Sequence, residues 1–479
     1  MLYLEPIDWA CIVGFFIVSL VIGLAVTRRA SRSSAEYFAA GRAMPWWLLG
    51  VSMVATTFST DTPNLVADMT RTNGVAGNWQ WWAFLLTGML TVFVYAQLWR
   101  RSGVLTDVEF YEIRYSGKAA AFLRGFRALY LGLFFNCFIM ASVSLAAIKI
   151  GEVLLGLSPL HTVLIAGTVT VIYSTLGGLR GVLFTDLIQF VMAMIGAVGA
   201  AIVALNLPKV GGLSGMLAAE AVQGKLSILP DFNNTSLAVS VFIVPLAVQW
   251  WSVWYPGSEP GGGGYIAQRM LSAKDEDNAI GAVFLFNALH YALRPWPWVI
   301  VALCSLIVFP DLGALAERFP EAEKIGHDMA YPAMLTFLPA GLLGLVVASL
   351  IAAYMSTIST HLNWGSSYVV HDFYQRFVRP ESSEKELVRV GRVCTVLLMI
   401  IAGALALALR NALQNFEIML QIGAGTGLIF ILRWFWWRIN AFSELTAMVV
   451  SFLVAVYFQF VHVQVLGFEQ LPYWLRLCS

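Results

Sequence analysis

The chain has 479 residues, of which 59% are hydrophobic and only 12% are charged. A soluble domain averages about 25% charged and 45–50% apolar residues, so this composition excludes an ordinary soluble protein. The net charge of +1 predicts no nucleic-acid partner, and the five scattered cysteines form no CxxC motif that would indicate a metal site or a redox pair.

Long apolar segments recur from one end of the chain to the other. Twelve candidate membrane spans cover residues 9–26, 44–69, 79–98, 128–148, 162–176, 182–205, 237–255, 279–309, 333–362, 393–409, 418–437 and 446–460. A span inside lipid must satisfy its own backbone hydrogen bonds, and segments of this length do so as helices. The sequence therefore predicts an all-α integral membrane protein with about twelve transmembrane helices.

The loops between these spans carry unequal charge. One side holds eighteen Lys and Arg residues, Arg269 and Arg433 among them, and the other side holds seven. Because cytoplasmic loops are enriched in basic residues, the first side is predicted to be cytoplasmic. This places the N-terminus outside the cell, in a multi-pass protein of the plasma or inner membrane.

Two of the spans are interrupted by polar residues, proline or glycine. Residues 56–64 of the second span read Thr-Thr-Phe-Ser-Thr-Asp-Thr-Pro-Asn, and the seventh span ends in Tyr-Pro-Gly-Ser-Glu-Pro followed by four glycines, residues 255–264. The interruptions lie five spans apart, so the units that begin at them have opposite topology. Paired interruptions in two inverted halves indicate a transporter's binding site. The alternative is a kinked helix and an ordinary glycine loop.

The ninth span presents a second polar face. Ser349, Ala353, Ser356, Thr357 and Thr360 recur at intervals of three or four residues, which places them on one side of a helix. Hydroxyl groups, together with the free carbonyls of an interrupted helix, are ligands that a small hard cation prefers. The alternative is that these hydroxyls bond back to their own helix and permit close helix packing.

Several ordered motifs carry a resemblance to a known family. They are residues 42–47 (Arg-Ala-Met-Pro-Trp-Trp), 52–59 (Ser-Met-Val-Ala-Thr-Thr-Phe-Ser), 177–182 (Gly-Gly-Leu-Arg-Gly-Val), 185–189 (Thr-Asp-Leu-Ile-Gln), 265–269 (Tyr-Ile-Ala-Gln-Arg), 352–357 (Ala-Ala-Tyr-Met-Ser-Thr) and 362–363 (Leu-Asn). In this order and in these spans, from about residue 36 to 437, they resemble the sodium:solute symporter family, which includes glucose, proline and sialic acid symporters.

The resemblance implies a ten-helix core of five plus five helices in inverted repeat, preceded by one extra helix. The expected organisation is an N-terminal segment, extra helix and cytoplasmic loop in residues 1–43, the first repeat in 44–206, an external loop in 207–236 and the second repeat in 237–440. Residues 441–479 are expected to form an additional helix, and truncation beyond it is an open alternative.

The resemblance also implies a sodium ion, co-transported with the solute, between the first and eighth core helices. The expected ligands are the carbonyls of Ala55, Phe58 and Ala353 and the hydroxyls of Ser356 and Thr357. Asp186, near the cytoplasmic end of the sixth span, matches an acidic residue that guides sodium out of the site. The alternative for this aspartate is a helix cap.

Further positions match the family's solute pocket. The expected solute-contacting residues are Asp61, Thr62, Gly263, Tyr265, Arg294 and Gln421, with Tyr265 as an aromatic gate beneath the pocket. The sugar transporters place an Asn where this chain has Gly263 and a Gln where it has Thr62, so a hexose is disfavoured. Arg294 would suit a carboxylate of the solute or a structural partner such as Asp61, Asp68 or a backbone carbonyl, and the structural pair is the favoured reading.

The residues favour a sodium-coupled symporter of a small organic solute over three competing functions. A membrane enzyme is disfavoured because the six histidines form no HExxH motif and no GxSxG motif occurs. The second competing function is a transporter-like sensory domain of a signalling protein, and the third is a proton-coupled or sodium-independent carrier. The retained hydroxyls of Ser356 and Thr357 favour sodium.

Overall fold

A computed structural model of the chain describes residues 4–59, 62–151, 157–251, 260–320, 325–408, 426–458, 461–462 and 466. These residues form helices and connecting loops, and the pairing of Met44 with Ala273 is a single isolated bridge. Asp61 and Gln421, two of the predicted solute-contacting residues, lie outside the described residues.

The principal helices follow one another along the whole chain. They are α1 (Pro6–Ala30), α2 (Ser34–Ala39), α3 (Trp46–Thr56), α4 (Thr62–Asn73), α5 (Val75–Trp82), α6 (Leu85–Ser102), α7 (Phe110–Arg114), α8 (Gly117–Leu145), α9 (Pro159–Leu205), α10 (Gly212–Ala218), α11 (Thr235–Ala247), α12 (Gly264–Leu271), α13 (Glu276–Val308), α14 (Leu312–Arg318), α15 (Ala330–Leu335), α16 (Leu342–Val378), α17 (Glu384–Ala408), α18 (Gly427–Leu432) and α19 (Ala441–Val456). Single turns at Ala40–Arg42, Glu220–Gln223, Gln249–Trp251 and His327–Met329 connect some of them.

Six of the described helices are long and apolar enough to cross a membrane: α1, α8, α9, α13, α16 and α17. Helices α5 and α6 meet at an angle of 41° and raise the number to seven if the bent pair is one span. The interrupted second span appears as two shorter helices, α3 and α4, and neither is long enough to cross a membrane alone. The predicted all-helical, multi-pass architecture is confirmed at this level.

Helix α9 contains a sharp turn at a glycine. Its 47 residues would extend about 70 Å as one straight helix, more than twice the roughly 30 Å of a bilayer core. At Gly178 the backbone adopts φ 53° and ψ −160°, so the chain changes direction there. The predicted spans 162–176 and 182–205 are the two halves, and Gly178 lies between them.

The ninth span begins and ends later than the sequence suggested. Helix α16 starts at Leu342, after Gly341 with φ 83°, and extends to Val378. The predicted range of 333–362 was therefore wrong at both ends. A glycine with positive φ ends the preceding turn at the N-terminal side, and the helical residues beyond 362 are too polar for a hydropathy pattern to include.

Helix α1 is joined to α16 by a buried carboxylate. Asp8 accepts hydrogen bonds at Oδ1 from the backbone N–H groups of Gly341 and Gly344, each at 2.7 Å, and at Oδ2 from the N–H of Glu5 at 2.9 Å. Gly341 has no side chain with which to cap α16, and Asp8 supplies that cap from another helix. Helix α1 also packs along both α9 and α16.

Candidate functional site

The predicted interruption of the second span is confirmed. Helix α3 ends at Thr56, where the N–H of Thr57 bonds to the carbonyl of Met53, and α4 begins at Thr62. Pro63 at the second helical position suits a helix start because it has no N–H to donate. The last turn of α3 thus leaves backbone carbonyls without helical partners.

A cluster of oxygen atoms forms where this interruption meets α16. The hydroxyl of Thr357 lies 3.3 Å from the carbonyl oxygen of Thr56, 3.2 Å from that of Phe58 and 3.1 Å from that of Ala353. A hydroxyl has one proton and can fully satisfy only one of these three acceptors. Four converging oxygens in a buried position are chemically suited to a small hard cation.

The structure brings together part of the predicted sodium-ligand set. Phe58, Ala353 and Thr357 meet in this oxygen cluster, and the carbonyl of Thr56 joins them. Ala55 lies one residue earlier and is buried, but none of the described hydrogen bonds connects it to α16. Thr56 was not predicted. Its position becomes apparent only once the end of α3 is known.

Ser356 faces away from that cluster, towards Asp186. Its hydroxyl donates to Oδ1 of Asp186 at 2.6 Å, and the hydroxyl of Ser52 donates to Oδ2 at 2.5 Å. Asp186 is completely buried. The sequence placed this aspartate near the cytoplasmic end of a span with a helix cap as the alternative, whereas its carboxylate bonds to side chains of α3 and α16.

The group that balances this carboxylate was not predicted from the sequence. Arg269 was counted among the cytoplasmic loop charges, yet its side chain is fully buried and its Nη2 lies 3.4 Å from Oδ2 of Asp186. Nη2 also donates to Thr360 at 2.7 Å and to Thr56 at 3.0 Å, and Nε donates to Ser52 at 2.9 Å.

Arg433 was counted with the same loop charges and is also buried, where Nη1 donates to the hydroxyl of Tyr111 at 3.0 Å. The sequence feature that could have indicated the burial of Arg269 is its position one helical turn after Tyr265, in a helix that begins at the glycine run.

Tyr265 lies at the start of α12, one helical turn before Arg269. Its ring centroid is 5.7 Å from the guanidinium of Arg269 and 5.9 Å from the ring of His361 in α16. Gly263 is the N-cap residue of this helix. The side chain of Tyr265 is 1% exposed, which places the aromatic ring inside the protein, between α12 and α16.

The glycine run before α12 is held by two side chains from the preceding helices and loop. Gly261 and Gly262 have φ of 84° and 81°, a region that favours glycine. The indole Nε1 of Trp99 donates to the carbonyl of Gly261 at 2.9 Å, and the N–H of Gly264 donates to Asp107 at 2.8 Å. The run therefore has a defined backbone path that positions Tyr265.

Arg294 is buried beside the interruption of α3 and α4. Its Nη1 donates to the carbonyl of Val54 at 3.0 Å, and its Cζ lies 5.4 Å from the ring of Phe58 and 5.3 Å from that of Trp298. The suggested pairing with Asp68 is wrong, because that carboxylate accepts from Thr72 at 3.0 Å and forms no ion pair with Arg294 among the described residues.

Arg294 follows a turn that was not predicted. Residues Ala288–Leu293 form a π-helical turn in which the N–H of Arg294 bonds to the carbonyl of Leu289. Such turns are frequent at functional sites. His290 lies in this turn, with its Nδ1 3.0 Å from the hydroxyl of Thr57 and its ring 5.3 Å from that of Trp81.

The remaining described solute candidate is part of the interruption itself. The hydroxyl of Thr62 accepts a hydrogen bond from the N–H of Ser59 at 3.2 Å, so this side chain stabilises the turn that precedes α4. Thr62 and Arg294 thus lie at the interruption, and Tyr265 contacts Arg269 and His361.

The chain is similar to known membrane transporters in sequence and in fold. The profile of the sodium:solute symporter family matches residues 37–451. A sodium/glucose cotransporter of Vibrio parahaemolyticus is 26% identical over 98% of this chain and 88% of its own length. A human sodium/myo-inositol cotransporter 2 is 30% identical over 96% of this chain and 71% of its own length. The fold is similar to a Na⁺-coupled sialic acid symporter solved in a substrate-bound, outward-open state, with TM-score 0.78, 20% identity and coverage of 99% of this chain and 94% of that one.

Proposed function

Because the chain belongs to the sodium:solute symporter family, we propose that its sodium ion binds in the oxygen cluster between the α3 interruption and α16. The chain is a multi-pass membrane transporter that couples sodium to the symport of a small solute, and it is not an enzyme. The single observation that supports this location is the convergence of the Thr56, Phe58 and Ala353 carbonyls on the hydroxyl of Thr357.

In the proposed site the ion takes these three carbonyls and the Thr357 hydroxyl as ligands. Ser356 becomes a further ligand when its hydroxyl turns from Asp186 towards the ion, and Ala55 contributes its carbonyl at the end of α3. Asp186 lies next to the site, and its negative charge guides the ion as it leaves. A sodium ion bound here would tie α3 to α16 and so favour one arrangement of the two helices.

Removing the Thr357 hydroxyl is expected to weaken sodium binding. Thr357→Ala deletes one ligand, and we expect the sodium concentration for half-maximal solute uptake to rise roughly tenfold, as for the loss of one buried polar interaction. Adding Ser356→Ala should raise it further. The measurement is solute uptake into proteoliposomes over a sodium series, with choline as the replacement cation.

Thr336→Ala is the matched control, because that hydroxyl bonds only to the carbonyl of Ala333 in its own short helix among the described residues. Its sodium dependence should equal that of the unaltered protein. A Thr357→Ala protein with unchanged sodium dependence would show that the site assignment is wrong, and uptake that proceeds equally well in choline would contradict sodium coupling itself.

We further propose that the solute binds beside this ion, next to the α3 interruption. We assign Thr62, Tyr265 and Arg294 to this site, with Gly263 just before Tyr265. We assign Asp61 and Gln421 to it from their places in the sequence. His290 and Thr57 extend the same surface.

The ring of Tyr265 is expected to act as a gate beneath this site. Tyr265→Ala removes the aromatic ring between α12 and α16, and an open gate lets the ion pass without the solute. We expect solute uptake to fall severalfold while sodium leak rises, measured as ²²Na⁺ flux with and without solute. Tyr265→Phe retains the ring and should behave as the unaltered protein. If Tyr265→Ala preserves the coupling ratio and the rate, the gate lies elsewhere.

We also propose the complete topology: twelve spans, with an inverted five-plus-five core in residues 44–206 and 237–440, joined by an external loop in 207–236. Residues 1–43 and 441–479 supply the additional helices. The N-terminus lies outside the plasma or inner membrane, as the unequal loop charge supports. A cysteine introduced before Pro6 that reacts with an impermeant maleimide only in permeabilised cells would overturn this orientation.

A further inference from the structure

One edge of the Arg294 guanidinium has no partner among the described residues. Nη1 donates to the carbonyl of Val54 at 3.0 Å, whereas Nε and Nη2 are buried and donate to no residue that the structure describes. The side chain is 1% exposed, so bulk solvent does not reach these two groups. A buried donor without an acceptor is unfavourable, and a charged donor more so. Such an arrangement is favourable when a bound ligand supplies the missing acceptor for Nε and Nη2.

The two open groups have a geometry that selects their acceptor. In a planar guanidinium the N–H bonds of Nε and Nη2 point in parallel from the same edge. This edge matches the two oxygens of a carboxylate, which it binds through two parallel charge-assisted hydrogen bonds. The rings of Phe58 and Trp298, at 5.4 Å and 5.3 Å from Cζ, keep the guanidinium in place.

The carboxylates of the described core are already occupied. Asp186 is paired with Arg269 and with two serine hydroxyls. Asp107 accepts from Tyr368 and from the N–H of Gly264. Asp68 accepts from Thr72. An acceptor for the open edge of Arg294 therefore comes either from Asp61 or from outside the protein.

The nearby sodium site favours an acceptor from outside. Phe58 contributes its carbonyl to the proposed sodium ligands and its ring to the contact with Arg294. A sodium ion and a guanidinium would then be close together in a low dielectric, where like charges repel strongly. A carboxylate that arrives with the solute reduces this repulsion, and binding of ion and solute then support each other.

We propose that the solute is an organic anion whose carboxylate is bound by Nε and Nη2 of Arg294. This proposal rests on the proposed function, because it uses the same solute site. His290, in the preceding π-helical turn with Nδ1 on Thr57, presents a further polar contact for a hydroxyl or amino group of the solute. A neutral sugar would leave the open edge only partly satisfied.

The test measures binding to the purified full-length protein by thermal shift. Sodium alone is titrated first against choline. Three pairs of solutes are then compared in sodium: gluconate with glucose, lactate with lactamide, and proline with prolinamide. We expect sodium alone to raise the melting temperature, at least one carboxylate to raise it further, and the neutral partner of that carboxylate to have no such effect.

Two variants then separate the solute from Asp61. Arg294→Gln should fold, retain the shift with sodium alone and lose roughly tenfold to a hundredfold in affinity for the active carboxylate, as expected for charge-assisted hydrogen bonds. Arg294→Lys should recover little, because it keeps the charge without the two parallel donors.

The proposal is overturned if no carboxylate exceeds its neutral partner, or if Arg294→Gln binds the active carboxylate with unchanged affinity. It is also overturned if Arg294→Gln lowers the folded yield and Asp61→Asn in the same protein restores it, since Asp61 would then occupy the open edge. A missing shift with sodium alone would instead contradict the proposed sodium site.

Discussion

Replacing Arg269 with Gln is expected to remove most of the folded protein. The substitution leaves Asp186 completely buried with only the hydroxyls of Ser52 and Ser356 as donors. Breaking a buried ion pair by removing one partner costs about 3–5 kcal/mol, a large part of a typical protein's stability. The measurement is the yield of monodisperse protein in mild detergent and its melting temperature.

The second variant tests whether the loss comes from the unpaired charge. Arg269→Gln combined with Asp186→Asn has no buried charge at this position and should recover much of the folded yield, although sodium-coupled uptake should remain impaired. Arg101→Gln is a matched control, because Arg101 forms its ion pair with Glu276 in solvent and exposed pairs contribute little. An Arg269→Gln protein as stable as the unaltered one would mean that Asp186 is not charged.

Gly178→Ala is expected to have a comparable effect through the backbone. At φ 53° and ψ −160° an L-residue is strained, and its Cβ would lie 2.7 Å from the carbonyl oxygen of Tyr37. Strain and overpacking together should cost roughly 2–6 kcal/mol. We expect low folded yield, a lower melting temperature and no uptake, measured in the same detergent assay.

Gly181 offers a matched control three residues later in the same helix. A Cβ at Gly181 would meet Val26 at 3.4 Å, an ordinary van der Waals distance, and its φ is helical. Gly181→Ala should therefore fold and transport normally. If both variants fold equally well, the turn in α9 does not depend on the conformation of Gly178.

The interruption of the second span could be predicted because its signals are local. A run of hydroxyl residues followed by Pro63 contrasts with the apolar residues on either side, and the helix ends within that run. The polar face of the ninth span was equally informative, because Ala353, Thr357 and Thr360 are four and three residues apart and such residues lie on one helical face. These two features indicated a polar interruption and a facing polar helix, whereas the meeting of Phe58 with Thr357 was implied by the family resemblance.

The buried ion pair between Arg269 and Asp186 could not be predicted in the same way. Arg269 is separated from Asp186 by more than eighty residues in the sequence and lies close to a basic loop, so an inventory of loop charges assigns it to the surface. Its burial depends on the packing of α12 against α3 and α16, which no local pattern reports. The hydrogen bond from Thr72 to Asp68, a residue that was a candidate partner of Arg294, likewise has no signal in the sequence pattern.

The cap that Asp8 provides for α16 has a practical consequence for tagged versions of this protein. The N–H of Glu5 and the carboxylate of Asp8 belong to one hydrogen-bonded turn that ends on Gly341 and Gly344. An affinity tag or fluorescent protein fused directly to the N-terminus would press on this turn and, through it, on the helix that carries Thr357. Any resulting change in sodium affinity would then be mistaken for a property of the proposed sodium site, and a long flexible linker between the tag and the protein avoids it.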